Sequence, residues 1–417
     1  QLDDDTEDYL RRDATVAGID ARHRFDNGRY AASTSLAFTR VTGTEDAIDR
    51  TQRSGVHLFQ RPDSHLDYDP TRTSLTGTAI AGQFDKVAGV FRGGASYRRF
   101  SPGFEANDIG FLSQADMQNI YGYLSVQSAQ PHSFYRRYSA QLSLYTQLNA
   151  DGMATGRTPD LFVGTTFRNS SSVSAELWTD NFGAVYCDRC ARGGPAVRVS
   201  PASNLLVNWA SDPRNVLQET FAAIYTTADG GRSMLWRVRP YLTLRAASNI
   251  SMELGARYQL NRDNTQWYDN VGTIGAADAH YLFAHLDQHL LSFQGRLNYT
   301  ATPNLTLQFY GEPFVTTGKY SNLRELDNPR AAEYGDRFKP YDLGANPGGF
   351  NEKEFNSNMV IRWEYRPGST VFFVWSQGRD QSDRNIGTFS ASRDYGDLFS
   401  TRPDNTFLVK ASYWFSF

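Results

Sequence analysis

The chain has 417 residues, and its 42 Lys+Arg against 45 Asp+Glu leave a formal charge of −3 and a pI near 6.2, without the basic excess that grips a nucleic-acid backbone. Aromatic residues make up 14% of the chain (27 Phe, 23 Tyr, 7 Trp) at a mean hydropathy of −0.53, so the rings are dispersed among polar residues. No run reaches the ~18 apolar residues of a membrane-crossing helix, and what survives is strands with one apolar and one polar face.

From the N-terminus, residues 1–13 form an acidic segment whose Asp3, Asp4, Asp5, Glu7 and Asp8 read as a solvated tail or a calcium-binding start. QLDDDTEDYL lacks the basic start, apolar stretch and cleavage site of a signal peptide, so the chain reads as a mature or truncated product. Strands are expected from Ala14 onward. The tight reversals are Phe25-Asp26-Asn27-Gly28, Gln130-Pro131-His132, Asn169-Ser170-Ser171, Asp212-Pro213-Arg214, Ala247-Ser248-Asn249, Thr302-Pro303-Asn304 and Arg366-Pro367-Gly368. Between them lie long polar connections at 42–72, 100–115, 182–200, 262–277, 318–353 and 380–402.

The alternation is plainest in the second half. Ile250, Met252, Leu254, Ala256 and Tyr258 alternate with Ser251, Glu253, Arg257 and Gln259, and Leu291, Phe293, Leu297 and Tyr299 with Ser292, Gln294, Arg296 and Asn298. Leu305, Leu307 and Phe309, then Met359, Ile361, Trp363 and Tyr365, repeat the pattern. Phe407, Val409, Ala411, Tyr413, Phe415 and Phe417 extend it to the C-terminus. Such runs have the ~9–11 residues of a tilted membrane-crossing strand, and short turns at one end with long loops at the other describe an all-β, transmembrane, up-and-down antiparallel β-barrel over residues 14–417. About seventeen strands are counted, whereas bacterial single-chain barrels use even numbers, so strands preceding Gln1 or a partner chain are expected to complete a larger barrel.

Three stretches carry a resemblance: Tyr97-Arg98-Arg99-Phe100 running into Ser101-Pro102-Gly103-Phe104-Glu105-Ala106-Asn107-Asp108-Ile109-Gly110-Phe111, then Gln308-Phe309-Tyr310-Gly311-Glu312-Pro313-Phe314, and the closing strand. The chain resembles the uncharacterised outer-membrane barrel domain that commonly follows a family 9 carbohydrate-binding module in Gram-negative bacteria. The resemblance implies location and fold and leaves the substrate open. The module and first barrel strands of that family have no counterpart in the sequence.

Opposite the apolar stripes stand Arg237, Arg239, Arg245, Glu253, Arg257, Arg296, Glu312, Arg362, Glu364 and Lys410, all expected to face the lumen. They read as a basic-leaning conduit for small anionic or polyhydroxylated solutes, or as interstrand ion pairs that stiffen the wall. Cys187 and Cys190 in an external loop are expected to form a disulfide, with a redox pair or half a metal site as alternatives. His285 and His289 in HLDQH lie on a strand-like run without the glutamate of a zinc peptidase motif, so no metal or cofactor is expected. Tyr320, Arg324, Glu325, Asp327, Arg330, Tyr334, Asp336, Arg337 and Tyr341 mix rings and charges as a sugar-contacting or an ordinary exposed loop does.

The pattern therefore predicts an outer-membrane barrel for passage or uptake of glycan-derived or other small polar solutes. A non-conducting anchor that displays a binding module and an envelope hydrolase with dispersed catalytic residues are the alternatives. The expected partners are outer-membrane lipid and the barrel-insertion machinery, which reads endings such as Tyr413, Phe415 and Phe417.

Overall fold

The computed structural model describes residues 4–384 and 387–415. Its strands are β1 (Asp13–Phe25), β2 (Tyr30–Thr42), β3 (Ser74–Lys86), β4 (Phe91–Phe100), β5 (Met117–Ser128), β6 (Tyr135–Leu148), β7 (Ala154–Phe167), β8 (Ser172–Asp180), β9 (Val185–Cys187), β10 (Val197–Val199), β11 (Ala202–Ala210), β12 (Leu217–Ala228) and β13 (Ser233–Ala247). There follow β14 (Ile250–Val271), β15 (His280–Thr302), β16 (Leu305–Leu326), β17 (Phe338–Pro340), β18 (Gly349–Arg366), β19 (Ser369–Asp383) and β20 (Asp404–Ser412), with helices α1 (Asp4–Tyr9), α2 (Glu45–Arg53) and α3 (Ala391–Ser400).

Eighteen of these strands make one antiparallel sheet in which each long strand pairs with its neighbour in sequence, and β8 with β11. The three-residue β17 only extends the tip of β16, which leaves seventeen in the up-and-down meander. The fold is all-β, of the outer-membrane barrel type. Neighbouring strands twist and the sheet curls: Arg330, in the connection after β16, reaches Asp63, in the connection after β2, at 2.7 Å. The wall is open in one place. Among the described residues β1 pairs only with β2 and β20 only with β19, and both run toward the short-turn side.

Register fixes the two faces. Val238 faces Tyr258 and Leu242 faces Leu254 across β13 and β14, which puts Leu254 (54% exposed) and its stripe outward and the alternate residues inward. Phe293 on β15 and Val409 on β20 are likewise exposed, so most of the outer surface is apolar and uncovered, α3 packing only over its loop-side part. A soluble fold covers such a face; a bilayer does so for a barrel.

Several local expectations need correction. β14, β15 and β16 have 22, 23 and 22 residues, about twice the crossing length, so that β14 runs on through 262–271 and β16 through 318–326 of the connections expected at 262–277 and 318–353. Their loop-side halves rise beyond the apolar band, where even the outer face is polar, as in the Arg262–Asp287 ion pair at 3.2 Å. Without an apolar stripe those halves of β14 and β16 read as loop, although backbone pairing continues. Tight reversals at Asn149–Met153 and at 229–232 interrupt the series of long connections.

Within the acidic segment, of which residues 1–3 lie outside the described residues, 4–13 are not simply a solvated tail: α1 lies beside α2, with Arg50 over the Tyr9 ring at 4.0 Å. Within 380–402, α3 packs on the outer face of β18, where Asn351 donates to Asp394 at 2.9 Å and Phe355 meets Phe399 at 5.3 Å. Strand β20 ends at Ser412 instead of running to Phe417, because its partner β19 begins at Ser369 and offers no further ladder positions. Tyr413 and Phe415 follow the strand with their rings 4.6 Å apart; Phe417 lies outside the described residues.

The two faces predict opposite responses to charge. Leu254→Arg should lower stability by about 2–4 kcal/mol, the cost of a lipid-facing arginine near mid-bilayer, whereas Gln294→Arg on the inward face should fold normally. Heat-modifiable mobility and urea unfolding in bilayers check this, and equal loss for both variants would contradict the assigned orientation.

Candidate functional site

The apolar core lies in the long connections and the loop-side ends of the strands that carry them. Ile48 and Phe59 pack with Val41 and Leu75, Phe104 with Leu112 and Ala115, and Ala191 and Val197 with Tyr281, Phe283 and Phe338. At its centre is the SPGFEAND turn. It presses backbone to backbone on the inner face of β3, where a Cβ on Gly77 would fall 2.1 Å from the Phe104 nitrogen and one on Gly103 2.2 Å from the Thr76 oxygen. Only glycine permits that approach at either position.

The turn delivers Glu105 to a buried ionic cluster. The Glu105 N–H donates to Thr39 Oγ1 at 3.0 Å, and its carboxylate accepts from His57 Nε2 at 3.0 Å and from the Asn107 N–H at 2.7 Å. His57 Nδ1 donates to the Pro102 carbonyl at 2.7 Å, so both ring nitrogens face acceptors. Arg11 lies 3.4 Å from Glu105 and pairs with Asp108 at 3.0 Å. Burial pushes the Glu105 carboxyl up, but the hydrogen bonds from His57 and Asn107 and the charge of Arg11 hold it down at about 2.

A second set of contacts ties the other loops to this turn. Cys187 and Cys190 are joined by a disulfide, and beside it Arg189 donates to the Gly55 carbonyl and, at 3.2 Å, to the Ala115 carbonyl. Burial pushes the Asp188 carboxyl up despite Arg189 and Arg61 nearby. Asp63 accepts from the Ala196 N–H at 2.9 Å and from Arg330 at 2.7 Å, linking three connections. The connections thus form an interlocked cap at the loop-side mouth. A cavity of about 900 Å³ lies within it, lined by Asp46, Asp49, Arg50 and Arg53 of α2 and by Arg189 and Arg192.

The ring-and-charge stretch expected to be an exposed binding loop is largely part of this cap, which is a correction. Tyr320, Arg324 and Glu325 lie on β16; Arg324 donates to the Asn264 carbonyl, and Glu325 is held by His280 and by Lys339 at 3.2 Å. Asp327 shares Lys339 at 3.2 Å. Tyr334 donates to the Asn264 carbonyl at 3.0 Å, and Arg337 is buried with donors on Ser200, Ala331 and Ala332. Asp336 is exposed, and Tyr341 packs at the edge of the Leu282–Ala284–Leu323 cluster. No group of three or more His, Cys, Asp or Glu suited to a metal ion occurs among the described residues.

On the short-turn side of the cap the lumen opens into a cavity of about 1140 Å³, whose lining includes Arg92, Arg137, Arg239, Arg257 and Glu312. The register puts Arg237, Arg239, Arg245, Glu253, Arg257, Arg296, Glu312, Arg362, Glu364 and Lys410 on the inward face. They differ in their partners. Arg362 and Glu364 form an ion pair at 2.8 Å, Glu253 accepts from the Tyr241 hydroxyl at 2.5 Å, Glu312 accepts from Tyr310, and Arg296 lies over the Tyr310 ring at 5.6 Å. Arg245 donates to the Pro213 carbonyl at 3.1 Å near the turn, and Lys410 stands opposite Phe372.

His57, Thr39 and Arg11 were not legible as site residues. The signal for His57 was the apolar Val56-His57-Leu58-Phe59 inside an otherwise polar connection, a run that a loop in water has no use for.

Fold and lumen together define a β-barrel of the outer-membrane class with a loop-built cap. The family described as "Domain of unknown function (DUF5916)" matches residues 6–417, and the chain belongs to it. No curated protein matches. Among solved structures, the siderophore receptor PirA from Acinetobacter baumannii is 10% identical, with 96% of this chain and 72% of that chain covered and a TM-score of 0.40. The ferric enterobactin receptor PfeA from Pseudomonas aeruginosa is 8% identical over 95% and 69%, at a TM-score of 0.40. The outer membrane channel DcaP of Acinetobacter baumannii is 9% identical over 97% of each chain, at a TM-score of 0.31.

The Glu105 cluster predicts an acid-sensitive cap. A carboxyl held below its ordinary value of 4.5 stabilises the fold above that value, and the stabilisation is lost as pH falls toward about 2. Glu105→Ala should bring the loss to neutral pH, costing about 2 kcal/mol because the buried His57 Nε2 and the Asn107 N–H lose their acceptor. Hydrogen exchange reads it: amides of residues 55–61 should exchange faster while the strands stay protected, and unchanged protection would refute the role.

Proposed function

We propose that the protein is a passage or uptake component of the bacterial outer membrane, carrying small polar solutes through a lumen capped on the loop side. The observation that carries this reading is the cavity of about 1140 Å³ with charged walls inside an apolar-faced barrel. Rings of charged side chains are how such pores select what enters. Glycan-derived solutes come into consideration through the resemblance to barrels that follow a carbohydrate-binding module. Single-channel recording in planar bilayers tests passage, with steady steps of current as the expected result. Deleting the cap residues 101–116 should enlarge them.

A second reading has its own support: the loop network that bridges the mouth suits a non-conducting anchor that displays a binding module. Absence of current from both the intact and the cap-deleted protein would favour it.

In either case two edges need partners. Unpaired N–H and C=O groups in hydrocarbon cost several kcal/mol each, so β1 and β20 require covering, and closing one on the other would make a parallel pair. We propose that further strands, an odd number of them, close the wall, and that the insertion machinery recognises the segment around Tyr413 and Phe415. Cysteines at Ile19 and Val409 should fail to cross-link in native membranes. An efficient cross-link would mean that β1 and β20 meet directly.

A further inference from the structure

We propose that Arg239 and Arg257, with Arg237 beside them, form an oxyanion-binding site in the lumen, and that the solute the barrel handles is an organic anion bearing carboxylate or phosphate groups. The inference deepens the passage reading by naming its solute class.

The argument starts from register. Arg237 and Arg239 occupy successive inward positions of β13, and Arg237 pairs with Gln259 while Val238 pairs with Tyr258. Arg257, the next inward residue of β14, therefore stands beside Arg239 across the ladder. Like charges set opposite each other on adjacent strands destabilise a sheet, so such an arrangement normally brings a counter-charge with it.

None is present. Among the described residues no carboxylate lies within 4.0 Å of the guanidinium of Arg237, Arg239 or Arg257. The nearby inward carboxylates are engaged elsewhere: Glu253 accepts from the Tyr241 hydroxyl at 2.5 Å and Glu312 from Tyr310. Arg237 donates Nε to Gln259 Oε1 at 2.8 Å, whereas the buried Nε of Arg257 has no acceptor. An orphaned buried donor on a permanently charged group is costly, and an acceptor supplied by a ligand relieves that cost.

The chemistry of the group selects the ligand. A guanidinium cannot shed its proton, and its planar donor fork matches carboxylate and phosphate oxygens in pairs. Arg239 and Arg257 line one wall of the cavity of about 1140 Å³, with Arg92 and Arg137 elsewhere in its lining and Glu312 as its sole carboxylate among the described residues. That volume leaves room for an organic anion whose several anionic groups span separate arginines.

The test is isothermal titration of the full-length gene product in detergent micelles with citrate, inorganic phosphate and, as a neutral control, maltose. Citrate should bind more tightly than phosphate, and R239Q/R257Q should weaken citrate at least tenfold while keeping the heat-modifiable band. If that pair does not fold, R239K/R257K, which keeps the charge and loses the fork, should weaken citrate at least threefold. Citrate affinity unchanged in the folded variant, or no binding of either anion by the unaltered protein, overturns the site. A barrel that binds citrate but passes no current leaves the site standing and removes the passage reading; current without arginine-dependent binding does the reverse.

Discussion

The hydrogen-bonding demand of the backbone inside hydrocarbon governs this protein. Water is absent there, so every N–H and C=O must find a backbone partner, and a meander of antiparallel strands satisfies all but the two outermost edges. Seventeen strands follow one another in that way, each with its sequence neighbour. The outward apolar stripe is the second half of the same condition, because the side chains that meet lipid cannot carry charge cheaply. Together these explain why so aromatic a chain has a mean hydropathy of −0.53: its rings cover one face only.

A wall built like this leaves nothing apolar to fill its middle, and the core moves to the loops. The clusters around Phe59, Phe104 and Phe283 are small, and they gain rigidity from polar contacts that span large sequence distances, such as Arg330 with Asp63 and Arg189 with Gly55. The cap and the wall thus rest on different physics. The wall depends on ladders and lipid; the cap depends on burial, the Cys187–Cys190 disulfide and buried polar contacts such as His57–Glu105 and Arg11–Glu105. Conditions that loosen one need not disturb the other.

The lumen contains charges in two states. Some are neutralised on the spot, as Arg362 is by Glu364, and these stiffen the wall. Others, Arg239 and Arg257 among them, stand together with no carboxylate of the described residues within 4.0 Å, on a wall with open volume beside it. The distinction separates structural polarity from polarity available to a solute, and it depends on which strand neighbours which and at what register.

Period-two alternation in segments such as Ile250–Tyr258 and Phe407–Ala411 was enough, by itself, to assign strand, face and membrane setting, because a pleated strand sends successive side chains to opposite sides whatever surrounds it. Turn chemistry such as Phe25-Asp26-Asn27-Gly28 and Arg366-Pro367-Gly368 was equally local, so it too was readable. The loop-side halves of β14 and β16 were not, since their pairing continues without an apolar stripe to announce it, and α3 was hidden in a polar connection. What only the tertiary structure decided was partnership: that Glu105 meets His57 across 48 residues, that Arg324 and Arg337 serve the cap, and that Arg257 stands beside Arg239 with, among the described residues, no carboxylate within 4.0 Å of either guanidinium. Alternation tells which way a side chain points, but what it meets depends on contacts between segments far apart in the chain, and no local pattern encodes those.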